Sequence, residues 1–208
     1  KVLIHVQKNL ALYDKKGEQH YDIISAFIKS VRGSDPNAAV YWLARMIEGG
    51  EDPGFIARRL LILAAEDIGI PNPNALLLAQ ACFEAVKVTG WPESRIILSE
   101  TAIYLATCAK SNSSYTAIES AIRAVKESGD LPVPLHLRNA PTRLMKDLGY
   151  HSGYKYAHDY EGNFIPDSFL PDGLESKKFY DPGANPREEE IRKRLSAIWR
   201  DYYDYNKE

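Results

Sequence analysis

Two cysteines in 208 residues, Cys82 and Cys108, are too few for a disulfide framework. Each sits in an apolar helical pattern, so both are expected as buried, reduced thiols. No CxxC or HExxH occurs, and the strong metal-binding motifs are absent. Long apolar runs are missing too. The longest, residues 60–65, is flanked by Arg58, Arg59, Glu66 and Asp67 and falls well short of the roughly 18 residues that suggest a membrane span. Neither sign of charge dominates: 26 Lys and Arg stand against 28 Asp and Glu, a net charge of −2. That balance excludes an overall basic surface wrapping DNA, though not a local basic patch. With 45% hydrophobic residues the chain is also not of disordered composition. Residues 1–12 carry His5, Gln7, Lys8 and Asn9 and lack a signal-peptide core, so a cytoplasmic protein is expected.

The thirteen glycines never form GxxxxGK[ST] or GxGxxG. A P-loop needs its glycines so that backbone N–H groups can surround phosphates, so this chain is expected neither to bind nor to hydrolyse ATP by itself. There is no GxSxG elbow, and the histidines, at 5, 20, 136, 151 and 158, have no partners at the spacing of a catalytic triad. His151, His158 and Asp159 could touch a metal, but their spacing matches no standard site.

What the sequence has is a series of helix starts and stops. Asp35-Pro36, Asp52-Pro53, Asn72-Pro73 and Asn185-Pro186 each place a side-chain acceptor before a proline. The acceptor satisfies a free backbone N–H, and proline loses nothing at the first helical position. Gly33, Gly49, Gly50, Gly69, Gly90 and Gly129 mark the stops. Between them the apolar spacing is helical: Ile23, Ile24, Phe27, Ile28 and Val31; Val40, Leu43, Ala44 and Ile47; Phe55, Ile56, Leu60, Leu63 and Ala64. Residues 76–88 and 96–109 are apolar around more of their circumference and are expected as central helices. Residues 115–125 give another amphipathic helix. The pattern predicts an all-α array of about six helices.

After Gly129 the character changes. Prolines extend residues 131–134, and a short helix is expected over 142–148. Residues 150–184 are rich in Gly, Pro, Asp and aromatics, among them Tyr154, Tyr156, Tyr160, Phe164, Phe169, Phe179 and Tyr180. This stretch is expected to strap across the helical body with its rings in grooves. A last helix is expected from 187 to about 203, with Ile191, Leu195, Ile198 and Trp199 on one side.

Two groups of polar residues are candidates for function. Arg58, Arg59, Glu66 and Asp67 read as charges that anchor helix packing or meet another subunit, rather than as catalysts, since nothing adjacent supplies a nucleophile. Lys110, Arg123, Lys126, Arg138, Arg143 and Lys146 lie near Tyr150, Tyr154, Lys155 and Tyr156. Cations that track phosphate and rings that stack on bases are the ingredients of single-strand binding. The simpler alternative is a solvated helix face beside packed aromatics.

Several longer strings then become recognisable: KSVRGSD at 29–35 followed by AVYWLAR at 39–45, ARRL at 57–60 with AEDIG at 65–69, and KSN at 110–112 before YTA at 115–117. HLRNAPT at 136–142 with Met145 and Lys146, and YKYAHD at 154–159, complete the set. From about Tyr13 to Trp199 the chain resembles the C-terminal half of the replication-associated recombination protein A family, bacterial relatives of the Werner helicase-interacting protein. The resemblance implies a clamp-loader-like AAA+ ATPase acting at stalled replication forks, with its ATPase module, ATP and Mg²⁺ lying N-terminal to this chain. It implies a collar-like helical domain that assembles a homotetramer, and partners such as DNA and single-strand-binding protein. No catalytic residue of the family maps here. The family often has a Gly-x-Glu turn before the last helix, where this chain reads NPREEE at 185–190.

The expected organisation is the end of a lid or linker at 1–14, a helical oligomerisation domain at 15–130, and a strap, short helix and C-terminal helix at 131–208. The expected function is homo-oligomerisation, with DNA contact through Lys110, Arg138, Arg143, Lys146, Tyr154, Lys155 and Tyr156 as the alternative.

Overall fold

The computed structural model describes residues 18–200 and 202–205. The segment expected as the end of a lid, 1–14, lies outside the described residues. The helices are α1 (Glu18–Arg32), α2 (Pro36–Glu48), α3 (Pro53–Leu63), α4 (Asn74–Thr89), α5 (Ser94–Thr107), α6 (Ser113–Ser128), α7 (Arg143–Asp147) and α8 (Pro186–Trp199). A π-helical turn, Ala64–Ile68, continues α3. The fold is all-α, and no strand is present among the described residues. Nor is any helix there long and apolar enough to cross a membrane.

Local chemistry explains most helix starts. The Asp35 carboxylate accepts from the N–H groups of Asn37 and Ala38, that of Asp52 from Phe55, and the Asn185 amide oxygen from Glu188. The fourth pair departs from expectation. Asn72 does not cap α4 with its side chain; its amide nitrogen donates instead to the Tyr104 hydroxyl at 2.9 Å and the Cys108 sulfur at 3.2 Å. One stop also differs. Ser34, not Gly33, takes the left-handed conformation, at φ 63°. At Gly33 a Cβ would make a tight contact, 3.0 Å from the Lys29 carbonyl oxygen.

The chain divides into two compact units, the first ending at Asn112 and the second beginning at Ser113. The expected division lay near 130, so α6 sits with the later elements rather than with the first five helices. The first unit buries a continuous core that includes Phe27, Leu43, Met46, Ile56, Leu60, Ile68, Leu98 and Leu105. Each such side chain contributes about 1.5–3 kcal/mol relative to exposure. Helix α5 packs against α1, α2, α3 and α4 and is the central helix, as its composition suggested. Helix α4 packs against α3, the π turn and α5, and leaves Leu76, Leu77 and Val88 exposed, so it is an outer helix. Cys82 is buried and Cys108 only half-buried; both are free thiols. Burial pushes the Cys82 thiol pKa up.

The second unit is held by polar groups. Glu188 and Arg192 of α8 are its buried charges, whereas the apolar side of that helix, Ile191, Leu195, Ile198 and Trp199, is only half-covered. Glu188 accepts from the hydroxyls of Ser113 and Tyr180 and from the Asn185 amide. The Arg192 guanidinium donates to the Asp181 carboxylate at 2.9 Å and to the carbonyls of Pro182 and Tyr205. Phe164, Phe169, Tyr202 and Tyr203 gather their rings around Trp199. The expectation that the aromatic stretch fills grooves fails for Tyr154, Tyr156 and Tyr160, which are 42%, 54% and 46% exposed.

Candidate interaction surfaces

The four flanking charges of the third helical segment separate into two sets. Arg58 and Arg59 lie over the Phe55 ring, at 5.9 and 5.4 Å. Glu66 and Asp67 instead reach Arg32 at the end of α1, whose Nε lies 2.6 Å from Asp67 Oδ1 and whose Nη2 lies 3.5 Å from Glu66 Oε1. The extra residue of the π turn is what carries Asp67 inward; its own carbonyl accepts from the Ser111 N–H at 2.8 Å. Arg32 was not singled out in the sequence, although it stands in the last turn of α1, where a cation also meets the helix dipole.

Helix α6 is amphipathic as expected, with its small residues turned inward. Its buried and half-buried positions are small: Ser113, Ala117, Ala121 and Ala124. Its large apolar side chains, Tyr115, Ile118, Ile122 and Val125, are 46%, 55%, 41% and 59% exposed. Their 3-4-3 spacing puts them on one stripe.

The candidate DNA contacts divide between the two units. Lys110 lies in the first unit and the other six in the second. The Lys110 ammonium donates to the carbonyls of Leu105, Ala106 and Cys108 and to the Ser34 hydroxyl, at 2.7–3.0 Å, and so closes the C-terminus of α5. Burial lowers its pKa. Three ammonium hydrogens facing four oxygens leave nothing for a phosphate, which removes Lys110 from the group of available cations.

In the second unit Arg138 donates to the Val133 carbonyl and the Tyr150 hydroxyl, with its guanidinium 5.0 Å from the centre of the Tyr150 ring. Lys155 lies 3.6 Å from Asp167. Arg143 and Lys146, on α7, are exposed. Tyr154 stacks on His151 at 4.8 Å and 29°, and Tyr156 lies 5.1 Å from His158. No group of three metal-ligating side chains is present among the described residues.

The all-helical chain is of the class of C-terminal domains of AAA+ ATPases, as two family models show. A family model described as AAA C-terminal domain matches residues 2–32, and one described as MgsA AAA+ ATPase C terminal matches residues 33–199. The chain belongs to that MgsA C-terminal family. It is 46% identical over 189 residues to Replication-associated recombination protein A of Coxiella burnetii, covering 90% of this chain and 43% of that protein. To the protein of the same name from Escherichia coli K12 it is 41% identical over 189 residues, 90% of this chain and 42% of that one. To ATPase WRNIP1 of Dictyostelium discoideum it is 42% identical over 177 residues, 85% of this chain and 20% of that one. The chain thus spans less than half the length of these relatives.

Proposed function

We propose that this chain is the self-association module of an AAA+ ATPase serving replication-associated recombination, with ATP and Mg²⁺ handled by the rest of the whole protein. The observation that carries this reading is the outward stripe of α6. Tyr115, Ile118, Ile122 and Val125 follow the a/d spacing of a coiled-coil seam, yet only small residues face inward. A second copy offers an identical stripe, and a twofold axis lets each cover the other. Light scattering behind size exclusion tests it. The chain should elute as an oligomer at tens of micromolar, and Ile118→Glu with Ile122→Glu should reduce it to a folded monomer. A strictly monomeric wild-type chain overturns the reading.

A second reading is supported by a different observation. Arg143 and Lys146 are exposed on α7, beside the half-exposed rings of Tyr150, His151 and Tyr154. On this reading the second unit contacts single-stranded or forked DNA, and association multiplies weak contacts by avidity. Binding should fall steeply with salt, because phosphate contacts release counterions. Fluorescence anisotropy at two salt concentrations checks it, and an absence of binding at low salt rules it out.

A further inference from the structure

Residues 131–160 carry four basic and two acidic side chains, in a chain whose net charge is −2. Within that segment lies a pocket of about 470 Å³ lined by Asn139, Ala140, Lys146, Tyr150, His151 and Ser152. That volume lies in the range of small-ligand sites. Its walls are fixed by main-chain hydrogen bonds. The Tyr150 N–H donates to Met145 O at 3.0 Å, that of His151 to Leu135 O at 2.9 Å, and that of Ser152 to Gly149 O at 3.2 Å.

The chemistry of the lining is mixed in an informative way. Lys146 supplies a cation, Ser152 a hydroxyl, and Asn139 an amide that both donates and accepts. Tyr150 and His151 supply flat rings. The guanidinium of Arg138 lies 5.0 Å from the Tyr150 ring centre, and the His151 ring stacks on Tyr154. No carboxylate lines the pocket, so an anion meets no repulsion from its walls. A ligand that uses all of these carries a phosphate, a planar ring and a polar ring edge, which describes a nucleotide. The surroundings favour a polymer over a free nucleotide. Arg143, Tyr156 and Tyr160 are exposed near it in sequence, and they give further phosphates and bases somewhere to go.

We infer that this pocket takes one unstacked nucleotide of a single-stranded DNA, with its phosphate on Lys146 and Ser152, its base edge on Asn139 and its ring against Tyr150 and His151. The inference rests on the DNA-contact reading above and assigns that contact a specific seat.

The test uses the 208-residue chain and a fluorescent oligothymidine at low salt, with three parts. Asn139→Ala alters the pocket alone, and His151→Asn alters the pocket together with the ring stacked on Tyr154. Asparagine tolerates the left-handed φ of 64° at position 151, so the backbone there is kept. Each should weaken binding at least about fivefold, the loss expected for one base contact. Iodouracil-substituted strands, irradiated with the unmodified protein, should cross-link to Tyr150 or His151. Thymidine monophosphate should displace the strand at lower concentration than inorganic phosphate. Unchanged binding by both folded variants, cross-links elsewhere, or equal displacement by inorganic phosphate each overturns the pocket while leaving DNA contact standing. No binding by the wild-type chain overturns both.

Discussion

The Arg32 guanidinium holds both carboxylate oxygens of Asp67, at 2.6 and 3.3 Å, joining the end of α1 to the π turn. Asp67 is almost wholly buried while Arg32 is about half exposed. The hydrogen bond to Asp67, outweighing partial burial, raises the Arg32 pKa further, so the pair stays charged on the arginine side. Arg32→Ala leaves a buried carboxylate without its paired guanidinium and should cost about 1–3 kcal/mol, with water offsetting part of the loss on the exposed side. Arg32→Lys should recover only part of it, since an ammonium cannot span two oxygens in a plane. Urea unfolding followed by circular dichroism measures both.

Two lysines should separate stability from DNA contact. Lys110→Ala removes the donor that closes α5 and should cost about 1–2 kcal/mol, with DNA affinity unchanged. Lys146→Ala should leave stability within about 0.5 kcal/mol and lower the salt slope of single-strand binding by about 0.7. Paired unfolding and anisotropy titrations read both effects, and the reverse pattern would contradict the assignment.

Tyr180 reports on the buried Glu188. Burial, then the Glu188 charge and its hydrogen bond, push the phenol up to about 12 from an ordinary 10.0. Glu188→Gln removes the charge and keeps the shape, so Tyr180 should titrate at lower pH while staying above the ordinary value through burial alone. Ultraviolet difference titration, with Tyr180→Phe as reference, isolates this group from the other tyrosines. Glu188→Ala should be the more disruptive change, at about 1–3 kcal/mol, because Ser113, Tyr180 and Asn185 all lose an acceptor.

Acid should loosen the second unit through Asp181. Burial raises this carboxyl's pKa, but hydrogen bonds from Arg192 and Lys178 outweigh it and hold the group below its ordinary 3.8. A depressed carboxyl contributes stability above its unfolded value and loses it as pH falls through the folded one. The contribution of Asp181 should therefore be full above about pH 4 and be lost progressively as pH falls from there through its lower, folded value. In Asp181→Asn the thermal midpoint should be lower at neutral pH and fall less steeply in that acid window.

The helix starts at Asp35, Asp52 and Asn185 were legible because capping involves neighbours in sequence. Asn72 was not, because its amide is taken by Tyr104 and Cys108, more than thirty residues away. Periodicity marked α6 as amphipathic but left open which of its faces is covered; it tells which residues share a face, not what covers that face. The same limit hid the polar interior around Glu188 and Arg192, since charged residues in a helix ordinarily point to water. Among the candidate cations, composition located Arg143 and Lys146 but could not separate them from Lys110. That distinction depends on where α5 ends and how its last carbonyls are turned. The part of His151 in the pocket was out of reach, because it follows from a left-handed backbone at that residue and a ring contact three positions on.

The π turn at Ala64–Ile68 makes the length of that segment a structural constraint. Its closing bond runs from the Gly69 N–H back to Ala64, five residues instead of four. Deleting one residue there would let an ordinary α-helical turn form with no hydrogen bond lost locally. Everything beyond it would then rotate by about 100° and shift by about 1.5 Å. Asp67 would swing away from Arg32 and from the Ser111 N–H together. Insertions and deletions in this stretch are therefore penalised by geometry at a distance rather than by helix stability, whatever residues they contain.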